Sequence, residues 1–327
     1  MKKTKFGLMK YEYRGDYNVG DYIQSLAAKQ YLPSVDEYIC REQLSEYSGV
    51  PVSMIMNGWY MHNPTNFPPS EQIDPLFISF HLNSHAKDAF LTDKTKAYLR
   101  QVGPIGCRDF HTERVLKEAG IDCYHSGCLT TTLDLVYKNE ERTENIYFAD
   151  PLFNLKDLKD LTKSLRTFVK GALKGALPAV GKRNVLLQQL FDKQVLDKAI
   201  YVPHIYSRSH SNEERFKLAE DILHKYATAK FVVTSRIHAA LPCLALGTPV
   251  VFLNYGNFDP TDLCRFEGII DLFNTININQ SGHISSNFDF DVTSKIGIDF
   301  NLKNPEKYLL YSDKLKSACQ EFIKNKI

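Results

Sequence analysis

The chain has 327 residues, 40 Lys+Arg against 38 Asp+Glu for a formal charge of +2, and 43% apolar residues. At about 100–200 residues per domain this length predicts two globular domains, and the apolar content excludes a disordered chain. The balanced charge argues against a dedicated nucleic-acid binder, whose basic residues would dominate or cluster.

The basic start is followed by an apolar run of only Phe6 to Met9, shorter than the core of a signal peptide, so a cytoplasmic protein is expected. Lys5–Met9 reads as a first strand, a polar loop runs to Asp21, and apolar periodicity predicts a helix from Tyr22 to Tyr31. Val52–Met56 and Leu76–Phe80 read as buried strands bounded by turn residues. Asp93–Val102 reads as a helix, Pro104–Cys107 as extended chain, and Asp109–Ala119 as a helix stopped by Gly120. After residues 135–145 the order restarts. Asn145–Phe148 and Lys198–Val202 read as strands and Ser211–Tyr226 as a capped helix. Phe231–Thr234 (strand), Arg236–Leu246 (helix) and Pro249–Leu253 (strand) follow. Asn304 and Pro305 predict the cap and first position of a last helix, Pro305 to Ile323. It carries Tyr308, Tyr311, Leu315, Cys319 and Phe322 on one face. Alternating strands and helices imply parallel sheets covered by helices. The expected fold class is α/β: two Rossmann-like, doubly wound domains, residues 1–140 and 141–327, facing a cleft.

Several chemistries lack support. Neither GxGxxG nor GxxxxGK[ST] occurs, which argues against the common nucleotide folds, and no GxSxG elbow supports a serine hydrolase. The apolar stretch Ala239–Leu253 is broken by Pro242, Gly247 and Pro249, and is shorter than the roughly 20 residues a membrane-spanning helix needs. Seven cysteines without a CxxC pair fit reduced thiols. Cys123, His125 and Cys128, with His111 upstream, offer one group of metal ligands where a structural zinc site usually has two paired motifs, so no metal is expected. Asp289-Phe290-Asp291 has the form of a DxD metal site but lies in a polar stretch without a strand-and-helix frame.

The most informative segment is Phe231 to Asn257, in which Ser235-Arg236-Ile237-His238 falls between a strand and a helix. Ligands gather at such junctions, where helix N-termini present free N–H groups and the positive dipole end. Arg236 could hold an anion there, and the field should keep His238 neutral and able to act as a base. The bland alternative pairs Arg236 with a carboxylate and packs His238 under a loop. The Arg14–Asp21 loop is the corresponding feature after the first strand. Asn18 and Asp21 suit sugar hydroxyls, and Asp21 could equally cap its helix. Arg108-Asp109 stands at a third junction, as an anion contact or a local salt bridge.

These segments together resemble the polysaccharide pyruvyl transferases. The resemblance is carried by Asn18-Val19-Gly20-Asp21, by Cys107-Arg108-Asp109 with Thr112, Leu116 and Gly120, and by Ser235-Arg236-Ile237-His238 with Gly247-Thr248-Pro249. Asn57-Gly58-Trp59 and Gly127-Cys128-Leu129-Thr130 add to it, and residues 155–200 match poorly. The resemblance implies a GT-B-like pair of Rossmann domains that transfers pyruvate from phosphoenolpyruvate to a sugar as a ketal, in capsule or exopolysaccharide assembly. The family's R-L-H element falls on Arg236, Ile237 and His238, with Ile at the middle position served by its backbone N–H. On this reading Arg236 and the helix N-terminus hold the donor, Arg108 and Arg265 add anion contacts, and Asn18 contacts substrate. His238 and Asp21 are the candidate catalytic groups. Phosphoenolpyruvate is the co-substrate, with no other cofactor. A nucleotide-sugar glycosyltransferase and a catalytically silent glycan- or nucleotide-binding module are the competing readings. Residues 163–183 carry six basic and no acidic side chains with apolar residues at helical spacing. They read either as a helix docking on an anionic membrane that carries a lipid-linked acceptor, or as an ordinary helix with a solvated basic face.

Overall fold

The computed structural model describes residues 4–13, 15–61, 63–155, 181–207, 209–256 and 263–327. Most of the basic segment 163–183 therefore lies outside the described residues. Two sheets organise the rest, the first parallel throughout and the second parallel except for one edge strand.

The first sheet places β4 (Val52–Gly58), β5 (Ile73–Phe80), β6 (Ile105–Cys107) and β7 (Cys123–His125) side by side, all parallel. A parallel pair, β1 (Gly7–Lys10) and β3 (Glu37–Cys40), continues it beyond β4 through a Phe6–Ser53 bridge. The second sheet has the order β14-β13-β12-β11-β8-β9, formed by β8 (Ile146–Ala149), β9 (Ala199–Val202), β11 (Phe231–Thr234), β12 (Val250–Tyr255), β13 (Asn274–Ile278) and β14 (Ile284–Ser286). Only β14 in it runs antiparallel. The change of sheet falls between His125 and Ile146. A short antiparallel pair, β2 (Tyr17–Asn18) with β10 (Ile205–Tyr206), ties the two parts together.

Alternation along the strands explains the packing. Tyr147, Val232 and Phe252 face one apolar core, which also holds the first sheet and the helices Val19–Lys29, Asn212–Thr228 and Ile237–Ala245. Ile146, Phe148, Val233 and Val251 face a second core on the opposite side. A parallel sheet buried on both faces carries apolar residues at consecutive positions, which is why FVVT and VVFL read as strands. The first core is continuous across both sheets. All seven cysteines are buried and free. No helix among the described residues is long and apolar enough to cross a membrane.

Local signals set several ends. Asn18 caps the first helix, its Oδ1 accepting the Gly20 N–H at 3.0 Å, so this helix begins at Val19 rather than Tyr22 and Asp21 lies in its first turn. Ser211 and Glu214 form a capping box on Asn212–Thr228. Gly120 ends the Phe110–Glu118 helix with φ of +68°, a conformation that costs glycine little.

The last helix departs from expectation: it spans Leu309–Lys324, and Asn304 does not cap it. The Asn304 side chain instead accepts the Val250 N–H at 2.9 Å and donates to the Thr248 carbonyl at 2.6 Å, because those backbone groups at the start of β12 need partners. Strands β3, β13 and β14 were not legible from apolar patterning; β13 reads Asn-Thr-Ile-Asn-Ile and is shaped by its neighbours in the sheet.

Candidate functional site

Strand order decides where a ligand can sit. From β8 the chain goes to β9 on one side and later to β11 on the other, so the winding reverses between β8 and β11. A crevice opens outside the carboxyl ends of parallel strands at such a reversal. A cavity of ≈ 180 Å³ lies there, walled by Leu152, Phe153 and Asn154 after β8 and by Ser235, Arg236, Ile237 and His238 after β11. His204, Tyr255, Arg265 and Phe266 complete the second-sheet side, and Asn18 reaches it from the first part of the chain.

The rim is held in an uncommon backbone shape. Asp150 and Leu152 have φ of 45° and 54°, which residues other than glycine seldom adopt. Leu152 N–H donates to Ser235 Oγ at 2.8 Å, and Ser235 Oγ donates to the Leu253 carbonyl at 2.6 Å. Asp150 Oδ2 accepts the His204 N–H at 3.1 Å. Backbone strain retained by such a network collects at binding sites.

Arg236 donates from Nε to Asp150 Oδ2 at 2.9 Å, and its Nη2 is 2.8 Å from the same oxygen. Its guanidinium carbon stands 3.7 Å from the centre of the Phe153 ring. Asp150 is thus the carboxylate partner that the sequence reading allowed, yet Arg236 still walls the cavity. Burial pulls its pKa below the ordinary arginine value against the pull of Asp150. The remaining guanidinium nitrogen makes no hydrogen bond among the described residues. Beside it the Ile237–Ala245 helix begins, with the Ile237 and His238 N–H groups lacking any acceptor there, as at other helix starts. An anion in the cavity would meet a guanidinium, these amides and Arg265 together.

His238 is half-buried and lines the cavity, and its Nε2 is shielded from solvent with no hydrogen-bond partner among the described residues. Burial first, and then Arg108, Arg265, His204 and His81, hold its pKa well below the ordinary histidine range, so it is a neutral imidazole at pH 7. Two neighbours in sequence shape its position. Pro242, four residues on, supplies no N–H to the His238 carbonyl and crowds it, and His238 accordingly has φ −83° and ψ 16°, outside helical values. Gly20 packs against it: a Cβ there would lie 3.1 Å from the His238 Cβ.

The other expected residues fall as follows. Asn18 both caps its helix and lines the cavity. Asp21 stands apart from the cavity; its carboxylate accepts from Tyr13 Oη at 2.6 Å, Gln24 Nε2 at 3.3 Å and Arg41 Nη1 at 3.3 Å. Arg108 is buried and does not line the cavity, and its Nε donates to Asp109 Oδ2 at 3.2 Å. Asp109 also caps its helix by accepting the Thr112 N–H, so the salt bridge and the cap both form. His125 packs between Phe110 and Tyr311, with Nε2 3.2 Å from the Arg108 carbonyl. Among the described residues no three His, Cys, Asp or Glu side chains converge as metal ligands. Asp291 of the DxD-like triplet is exposed and accepts from the Thr293 N–H and hydroxyl in a local turn.

Sequence reasoning missed His81, His204 and Asp150. His81 directly follows the strand that ends at Phe80, Asp150 follows β8, and His204 lies two residues beyond β9. The same strand-end rule that singled out Arg236 would have found all three.

A family model for polysaccharide pyruvyl transferase matches residues 18–257. Among solved structures, the chain is similar to one titled a functional uncharacterized protein KP1_0663 from Klebsiella pneumoniae subsp. pneumoniae NTUH-K2044. That likeness has 12% identity and a TM-score of 0.44, and covers 82% of this chain and 89% of that one. No curated protein matches the chain.

Proposed function

The chain belongs to the polysaccharide pyruvyl transferase family, and from that premise we propose that it transfers pyruvate from phosphoenolpyruvate to two hydroxyls of a sugar as a ketal. The observation that carries this reading is the juxtaposition, at one strand-order reversal, of Arg236, Arg265, a helix N-terminus and the neutral, unpartnered His238. Phosphoenolpyruvate brings a carboxylate and a phosphate, and a partly dry pocket with fixed donors recognises both. Arg236 and the Ile237–His238 amides hold the donor's anionic groups, with Arg265 adding charge. His238 then moves a proton at the reacting centre, either as base toward a sugar hydroxyl or as the group serving the vinyl carbon. Asn18 contacts the sugar from the first part of the chain. On this reading the chain is a GT-B-like pair of Rossmann-like domains, each built on one of the two sheets.

Phosphoenolpyruvate at 100 times its Kd is expected to add about 2.7 kcal/mol to stability, and an acceptor sugar is expected to trigger phosphate release. Thermal-shift screening against phosphoenolpyruvate and nucleotide sugars, followed by a phosphate-release assay over a sugar panel, checks this. Stabilisation by a nucleotide sugar alone would point to a glycosyltransferase, and no response to either would point to a silent binding module.

The reading extends to a cytoplasmic enzyme of capsule or exopolysaccharide assembly that meets a lipid-linked glycan through the basic segment 163–183. Co-sedimentation with anionic vesicles at low salt, lost at high salt, is the expected result; absence of binding at low salt rejects membrane docking.

A further inference from the structure

We propose that His81, oriented by Asp109, is a second proton-transferring histidine of the site and serves the sugar acceptor. The inference rests on the pyruvyl-transfer reading and adds a residue to it. His81 follows β5 in the first sheet, and its N–H donates to the Gly58 carbonyl at 2.9 Å. The backbone N–H of Leu82 donates to Thr112 Oγ1 at 2.9 Å, so the chain is pinned on both sides of the ring. His81 Nδ1 lies 2.7 Å from Asp109 Oδ2, and both side chains are buried. Asp109 Oδ1 is occupied by the Thr112 N–H at 2.9 Å and the Thr112 hydroxyl at 2.7 Å. A carboxylate accepting from Nδ1–H fixes the tautomer with Nε2 unprotonated, and this Nε2 has no hydrogen-bond partner among the described residues.

The electrostatics agree. Burial and the Arg108 field outweigh Asp109 and bring the His81 pKa down to about 4, so the ring is neutral at pH 7. Burial alone would raise the Asp109 carboxyl, but His81, Arg108 and Thr112 hold it well below the usual carboxylate range. His81 is close enough to His238 to help depress the pKa of the latter. His238 thus walls the donor cavity, and His81 stands at the carboxyl end of β5 in the first sheet.

Ketal formation gives each a task. The oxygens of two hydroxyls bond to C2 of phosphoenolpyruvate, the bond from C2 to the phosphate oxygen breaks, and C3 becomes a methyl group. Of the two hydroxyl protons, one ends on C3 and the other on the departing phosphate, so the balance needs no other reactant. His238 serves the hydroxyl whose proton reaches C3. His81 Nε2 takes the other as that oxygen bonds to C2, and the imidazolium, held by Asp109, returns it to the phosphate as it leaves.

The test uses the full chain with phosphoenolpyruvate and an accepted sugar. In His81→Asn the amide can still donate to Asp109 but no basic Nε2 remains. Turnover is expected to fall about 10²–10⁴-fold, while stabilisation by phosphoenolpyruvate persists. The residual rate is expected to rise with pH as hydroxide replaces the base, and added imidazole is expected to restore part of the turnover of His81→Ala. His81→Gln repeats the measurement if the Asn variant fails to fold. Near-normal turnover in a folded variant overturns the proposal, as does a loss that neither pH nor imidazole changes, since that marks a packing role. A wild-type chain that binds nucleotide sugars and releases no phosphate from phosphoenolpyruvate overturns the pyruvyl-transfer reading itself, and the role of His81 falls with it.

Discussion

His238→Gln is expected to lower the turnover of phosphoenolpyruvate-dependent phosphate release by about 10²–10⁴-fold, the usual contribution of a positioned acid–base group. The variant keeps a polar side chain of similar reach but cannot exchange a proton near neutral pH. Stability distinguishes this from a structural role. A buried polar atom without a partner costs about 1–3 kcal/mol, and His238 Nε2 is such an atom. His238→Leu is therefore expected to be inactive and at least as stable as the wild type, because it removes an unmet hydrogen bond from a buried site. Steady-state kinetics on one variant and thermal unfolding of the other check the two halves. Retained turnover in His238→Gln would remove His238 from the chemistry, and a large loss of stability in His238→Leu would assign it to packing.

Acidification from pH 7 to pH 4 is expected to cost much of the folding free energy. His81 and His204 are buried, and burial is the largest cause that brings each pKa down to about 4. His238 is displaced in the same direction, again mainly by burial. Between the ordinary value near 6.5 and the lowered native value, the unfolded chain binds protons that the native one refuses, so stability rises with pH across that window. The contribution is present in full above about 6.5 and is lost as pH falls toward 4. At 1.36 kcal/mol per pH unit, His81 and His204 account for roughly 3 kcal/mol each. Against a typical total of about 5–15 kcal/mol, that brings the protein near its unfolding threshold at pH 4. Urea unfolding at intervals from pH 7.5 to 4.5 checks the slope. A stability unchanged between pH 7 and pH 5 would mean that these rings charge in the native state.

The same histidines show which parts of the site were legible in the chain. Arg236 and His238 stood out because a strand, a polar turn and a helix follow one another within a dozen residues. His81 and His204 have the same placement at strand ends, but no neighbouring arginine drew attention to them. Asp21 lay in the right loop and was grouped with His238. The fold turns it instead toward Tyr13 and Arg41, whose positions 8 residues before and 20 residues after it carry no local pattern. Asn304 had every local mark of a helix cap, and backbone groups more than fifty residues away claimed its side chain.

The sequence by itself determined the α/β class, most strand and helix positions, the Ser235–His238 junction and the family. These depend on interactions among residues a few positions apart, and on apolar periodicity that survives without knowledge of partners. Only the tertiary structure decided the strand order, and with it the reversal between β8 and β11 that opens the cavity. It also decided which buried groups share a field: Asp150 with Arg236, and Asp109 with His81. Strand order and charge environment arise from contacts between distant segments, selected by the burial of whole faces and by the cost of leaving a polar group unpaired. No window along the chain contains that information.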